Sequence, residues 1–275
     1  MTTLWQDLRY GLRRLAKNPG FTAVVVLTLA LGIGATSAIF TVLYGVLLRP
    51  LPYPKPDQIV ELREVSAQGN QMNFADPNFE DLRSQSRTLA GVAEYSARVV
   101  SVSGGSEPRR SMVASVSRDF LSVMGVQPIL GRGFAAQDQH VGAAPVALLS
   151  YGYWKQYLGG IADFSPVKLN IENQPYSIVG VLPPGFRFPN DSDIWIPREL
   201  SQPLPSRSAH NWRVMARLRD GIPPAQARAE LSGIARRLKE QYGQDIEMTD
   251  VAVSPLRDAL THEVRPALLV LLGAV

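Results

Sequence analysis

The sequence predicts an α+β domain, with a β-rich subdomain inserted in it, attached to one apolar transmembrane helix. Three observations carry this reading. Phe21–Leu48 runs for 28 positions without a charged residue. Beyond it, stretches with strand-like alternation and helix-like spacing succeed one another at both ends of a long polar region. Between those ends lies a region rich in Gly, Pro and short β-like runs. Strands and helices in that order favour α+β over a doubly wound sheet.

The stub ahead of the apolar run reads as a short amphipathic helix over residues 1–20. Leu4, Leu8, Leu12 and Leu15 lie three or four apart and share a face with Trp5. Arg9, Arg13, Arg14 and Lys17 take the polar side. A basic amphipathic helix beside a span suits the membrane interface. "NPG" at Asn18–Gly20 is expected to break it. The span itself, residues 21–48, exceeds the apolar core of a signal peptide, about 7–15 residues. It is long enough for a bilayer, which needs about 20 residues in a helix. Ala30, Gly34 and Ala38 recur every fourth residue, the spacing at which small side chains let a second helix approach.

Charge is unevenly placed. The stub holds four basic residues against Asp7, whereas Arg49–Glu263 carries 23 basic and 23 acidic residues. The high pI therefore belongs to the membrane flanks and gives no support to a nucleic-acid partner. Basic residues before a first span favour the cytoplasmic side, which puts the N-terminus inside and residues 49–263 outside the cytoplasm. There is no cysteine, so disulfides and thiolate metal sites are excluded.

Pro50, Pro52, Pro54 and Pro56 predict a stiff, extended exit from the membrane. Next, "QIVELREV" alternates as a strand. "DPNFEDLRSQSRTL" opens a helix with Asp76 as N-cap and Pro77 at the first helical position. "AGVAEYSARVVSVSG" and "PRRSMVASVS" read as strands, and "RDFLSVMG" as a short helix closed by Gly125. In the middle, "VALLS", "VKLNIENQPYSIVGVLP" and "DIWIP" are β-like, with "ENQP" a hairpin turn, and "YGYWKQYLG" is a short helix. "WRVMARLRD" (strand), "PPAQARAELSGIARRLKEQYG" (helix) and "MTDVAVSPL" (strand) complete the second end. Ser66 offers a position for labelling the outer domain.

Chemistry-bearing motifs are sparse. His140, His210 and His262 have no pairwise metal spacing and no HExxH occurs. Asp138 stands two residues before His140 in a loop, weak as a metal pair. Gly131-x-Gly133 lacks the third glycine of a dinucleotide fingerprint. No P-loop and no Gly-x-Ser-x-Gly elbow is present. Glu107–Ser111, with its basic pair, reads as a surface loop, and Asn190–Ser192 matches a glycosylation triplet. Trp154, Trp195 and Trp212 read as core anchors. These residues give no catalytic, metal or cofactor site, and the chain is expected not to be an enzyme.

"DLRYGLRRLAKNPGFTAVVVLTLALGIGATSAIFTVLYGVLLRPLPYP" resembles the opening of the MacB/FtsX-type ABC transporter permeases, the long duplicated permeases of acidobacterial type in particular. "LGRGFAAQD", "PVALLSYGYWKQYLGG" and "YSIVGVLPPGFRFPNDSDIWIP" resemble landmarks of their periplasmic core domain. The resemblance implies an inner-membrane permease subunit with four spans per unit and a separate ABC ATPase at the cytoplasmic face. It implies transmission of ATP-driven closure to the periplasmic domain, a dimer or pseudo-dimer of permease units, and, as targets, macrolides, peptides or lipoproteins, or cell-wall hydrolases reached through a periplasmic partner protein. It also implies a porter-like subdomain, placed at residues 57–126 and 211–256, carrying an inserted β-rich subdomain at 127–210. The segment "IADFSPVKLNIENQPY" departs from the family pattern, with Ser165–Pro166 and Asn173 at usual Gly positions. Residues 264–275 read as the start of a second transmembrane helix: nine apolar residues follow Pro266, too few to cross. The chain thus reads as the N-terminal portion of a longer permease. The alternative is a membrane-anchored extracytoplasmic binding or scaffold module without transport.

Overall fold

The computed structural model describes residues 2–48, 50–104, 108–164 and 166–273. The chain forms two compact units, Met1–Leu51 with Leu260–Val275, and Pro52–Ala259.

In the first unit, helix α1 (Thr2–Lys17) is followed by α2 (Pro19–Leu43), which continues as a π-helical turn over Tyr44–Leu48. The break expected over Asn18–Gly20 is confined to Asn18. Pro19 and Gly20 open α2, because a proline at the first helical position loses no intrahelical bond. At about 1.5 Å per residue, the 25 residues of α2 span about 37 Å, more than the roughly 30 Å of a hydrocarbon core. Pro266 lies in the first turn of α8 (Arg265–Gly273), as its sequence context predicts; α7 (Leu256–Thr261) precedes it.

The second unit is built on strands β1 (Ile59–Ser66), β2 (Gln71–Met72), β3 (Leu89–Ser103), β4 (Arg109–Val116), β5 (Leu130–Gly131), β6 (Val146–Leu149), β7 (Lys168–Ile171), β8 (Gln174–Val181), β9 (Ile194–Pro197), β10 (Arg213–Leu218) and β11 (Met248–Pro255). Its helices are α3 (Asp76–Gln85), α4 (Phe120–Met124), α5 (Tyr151–Tyr157) and α6 (Pro224–Tyr242). Four strands lie in the order β11-β1-β10-β3, each antiparallel to its neighbours. Helix α3 joins β1 to β3 and α6 joins β10 to β11, each crossing one intervening strand, so this half is a split β-α-β pair. Everything between β3 and β10 is inserted into it.

The inserted strands continue the sheet from β3 through β4, β9, β6 and β8. Strand β7 pairs with β8 and with the far end of β3, through Val102↔Ile171. The pairing thus closes into a six-strand ring, which leaves few free edges. The two residues between β7 and β8, Glu172 and Asn173, both have positive φ (51° and 68°). That is the two-residue turn whose twist matches a tight hairpin, and it confirms the turn read at "ENQP".

Two apolar cores follow from this topology. Val60, Leu62, Val214 and Val251 on the sheet meet Leu231, Ile234 and Leu238 of α6. In the sequence, Ala227, Leu231, Ile234, Ala235 and Leu238 repeat at helical spacing, which is why α6 presents one apolar stripe. The second core fills the ring with Val100, Val113, Leu149, Leu169, Ile178 and Ile194, among others. The 15-residue strand β3 serves both, giving Leu89 and Val92 to the first and Val100 and Val102 to the second. Rings of Tyr95, Phe120, Phe186, Phe188 and Trp195 pack together between these strands and α4, edge-on or tilted except for the stacked pair Phe120–Phe188. Trp195 is fully buried and Trp154 nearly so, their indole N–H groups donating to Phe188 O and Ile161 O at 2.9 and 2.8 Å.

Candidate functional site

Helix α2 carries the first candidate. Ala30, Gly34 and Ala38 are exposed, and a Cβ placed on Gly34 would meet nothing within 4 Å. The side-chain hydroxyls of Thr28, Thr36 and Thr41 donate to the carbonyls of Val24, Gly32 and Ser37 at 2.7–2.8 Å. A helix in lipid must satisfy its polar groups internally, and these bonds do so. On α1, Arg9, Arg13 and Lys17 are exposed, as are Trp5 and Tyr10. The side chains of Arg14, Leu4, Leu8 and Leu12 lie outside the described residues.

The second candidate is a buried charge cluster in the outer domain. Arg198, on the turn after β9, is 5% exposed. Its guanidinium contacts the carboxylate of Asp76 at the start of α3 and lies 2.6 Å, through Nε, from Glu94 on β3. It donates through Nη1 to Ser201 O at 2.8 Å, and its carbon stands 4.7 Å from the Trp212 ring centre. Asp76 is therefore not the helix cap its position suggests. The N-cap is Ala75, without a side-chain bond, and the Asp76 carboxylate turns to the arginine instead. Burial raises the Glu94 carboxyl above its ordinary range, with Glu80 and Glu199 adding to the effect, and burial depresses Arg198. Those costs are offset by the contacts the three groups make with one another. The cluster forms the floor of a cleft of about 320 Å3 between α3, β3 and the 3-10 turn Arg198–Leu200.

A neighbouring network fastens the same return segment. Glu64, fully buried on β1, accepts from Ala75 N at 3.1 Å and Asn78 Nδ2 at 2.9 Å. His210 Nδ1 lies 3.3 Å from Glu64 Oε2 and 3.0 Å from Asn73 O. Arg207 reaches Asp81 at 2.8 Å and Asn78 Oδ1 at 2.9 Å, and stacks 3.5 Å over Tyr242. Two guanidinium groups and the His210 imidazole on residues 198–210 thus enter acidic sockets on β1, α3 and β3.

The remaining sequence candidates are engaged separately. Asp138 pairs with Arg132 and accepts from Ala135 N, which holds its carboxyl below the usual range. His140 Nδ1 faces its neighbour Val141 O at 3.1 Å. Arg109 stacks 3.2 Å over Tyr157, while Glu107 and Ser165 lie outside the described residues. Ser192, the third residue of the glycosylation triplet, is fully buried. Ser66 is 8% exposed and unsuited to labelling, whereas Gln68, in the following turn, is exposed.

A split β-α-β half, a closed β ring inserted in it and a long apolar helix ahead of both define a membrane-anchored protein with a folded domain outside the lipid. The profile of the MacB-like periplasmic core domain matches residues 22–234. The chain belongs to that family, a family of ABC transporter permease components of MacB/FtsX type. Its fold is similar to the periplasmic region of MacB from Actinobacillus actinomycetemcomitans, with a TM-score of 0.54, 11% identity, and coverage of 83% of this chain and 98% of that one. It is also similar to a domain of a putative permease from Porphyromonas gingivalis, with a TM-score of 0.54, 14% identity, and coverage of 74% and 92%. The extracellular domain of the noncanonic ABC-type transporter YknZ from Gram-positive bacteria matches with a TM-score of 0.52, 14% identity, and coverage of 71% and 98%. Among curated proteins, none matches the sequence.

Proposed function

We propose that this chain is a permease subunit that couples ATP hydrolysis by a separate cytoplasmic ATPase to its extracytoplasmic domain. The observation that carries the reading is the family match, which runs unbroken from residue 22 in the apolar helix to residue 234 in α6 of the outer domain. Arg9, Arg13, Arg14 and Lys17 beside the span support a cytoplasmic N-terminus in the inner membrane. Ala30, Gly34 and Ala38 serve as the face on which a further helix packs, from the same permease or from a second unit in a dimer. The split β-α-β half is the porter-like subdomain, and the inserted ring is the part offered to substrate or to a periplasmic partner.

The test is reconstitution of the complete permease in lipid nanodiscs. Its ATPase is expected to co-purify with it, and vanadate-sensitive ATP hydrolysis is expected to change rate when the permease is present. A permease that recruits no ATPase, yet remains folded and membrane-bound, would leave the anchored binding module as the better reading.

A further inference from the structure

The chain enters the outer domain through a bend, not through the extended rod that four prolines predict. Residues Pro52–Lys55 curve, and a 3-10 turn follows at Pro56–Gln58. Lys55 has φ 48° and ψ 60°, in the left-handed region. A residue that precedes proline and is not glycine disfavours that conformation on two counts, its own Cβ and the clash with the proline ring. Such backbone persists only where its surroundings impose it.

The surroundings are specific. Arg217, on β10, donates through Nη1 to Pro54 O at 2.9 Å, with Lys55 O at 3.4 Å, and through Nε to Val123 O of α4 at 2.8 Å. Asp220, three residues on, takes Lys55 Nζ and Gln58 Nε2, each at 2.6 Å. Gly125 closes α4 with φ 68°, and a Cβ there would stand 3.1 Å from the Pro54 ring. The Tyr53 ring lies edge-on to Phe186 at 6.0 Å. Arg217 therefore joins three pieces of backbone: the segment leaving the membrane helix, the end of α4 and the central strand β10. The planar guanidinium suits this task, since its donors diverge in fixed directions.

We propose that Arg217, assisted by Asp220, is the positioning residue that hands displacement of the membrane helix to the outer domain. The inference rests on the coupling function proposed above, and it names the point where the load passes. The bend at Lys55 is the hinge, and the arginine keeps that hinge from absorbing the motion.

Hydrogen exchange on the complete permease with its ATPase tests this in two steps. First, Arg217→Met is expected to speed exchange at the Gln58 amide, which is bonded to Lys55 O within residues 53–58, by about tenfold, the size expected for two lost hydrogen bonds. Exchange in α6 and β11 should stay as in wild type. Unchanged exchange at 53–58 would overturn the clamp. Second, trapping with ATP and vanadate is expected to alter exchange in α4 and β10 of wild type. Arg217→Met should lose that response while retaining ATP hydrolysis. Arg217→Lys, which keeps the charge without the fork, should fall between. A response that survives in Arg217→Met would overturn the transmission role. Should α6 and β11 also lose protection in Arg217→Met, Arg217→Lys decides by the same two readings. A wild type that holds residues 53–58 through Arg217 yet ignores the nucleotide state would count against the coupling function itself, and the transmission role would fall with it.

Discussion

Arg198 is the residue with most at stake in the outer domain. Two carboxylates, Asp76 and Glu94, face it in a site where all three side chains are at most 5% exposed. Removing one member of a buried ionic cluster leaves the others desolvated and unpaired, which costs about 3–5 kcal/mol. Arg198→Met is expected to lower stability by that amount, read from the urea midpoint of the purified protein, and a loss under about 1 kcal/mol would show that water compensates the carboxylates. His210 introduces pH dependence. Glu64 raises its pKa above the ordinary 6.5, mainly through their hydrogen bond, with Glu247 also facing the ring. The folded state therefore binds the proton more tightly than the unfolded chain. Its stabilising contribution is full below pH 6.5 and is lost as pH rises through the raised value. Urea midpoints from pH 6 to 9 should fall more in wild type than in His210→Gln. These residues left a faint trace in the sequence. Glu64 alternates with Val60 and Leu62, and Glu94 with Val92, so each carboxylate stands on an inward face where a partner is required. The partners themselves, Arg198 and His210, sit in irregular segments with no period to read.

At the scale of elements, the strands and helices were largely legible because local patterning agrees with the tertiary fold. The stripe of α6, the αL closure of α4 at Gly125 and the two-residue turn at Glu172–Asn173 each depend on residues within a few positions. The exit from the membrane was misread because four prolines favour an extended chain locally, while Arg217 and Asp220, more than 160 positions away, bend it. Helix α2 presents its own prediction. Replacing Gly34 with Leu adds bulk to the centre of the Ala30–Ala38 face. If that face packs against another membrane helix, Gly34→Leu should weaken association at least several-fold by energy transfer between labelled copies in lipid, while Val25→Leu, on the opposite side of the same helix, should not. Equal association in both would assign the face to lipid.

Across the whole molecule, the continuous sheet ties the inserted ring to the split β-α-β half through one strand, β3, which supplies both cores. Arg198, Arg207 and His210 tie them a second time where the chain returns. Orientation in the membrane can be read with a single thiol, since the native chain has no cysteine. Gln68→Cys is expected to react with an impermeant maleimide added outside the inner membrane. Protection until the cytoplasm is opened would reverse the proposed topology.

By itself, the sequence determined the membrane helix, the α+β class, most element positions and the family, because these follow from run length, periodicity and contiguous motifs. Only the tertiary structure decided how the strands are ordered, that β7 closes the ring onto β3, and which charges meet Arg198 and Arg217. Those pairings join residues far apart in the chain. Burial makes each buried charge costly and mutual neutralisation offsets that cost, and neither is a property of any local stretch.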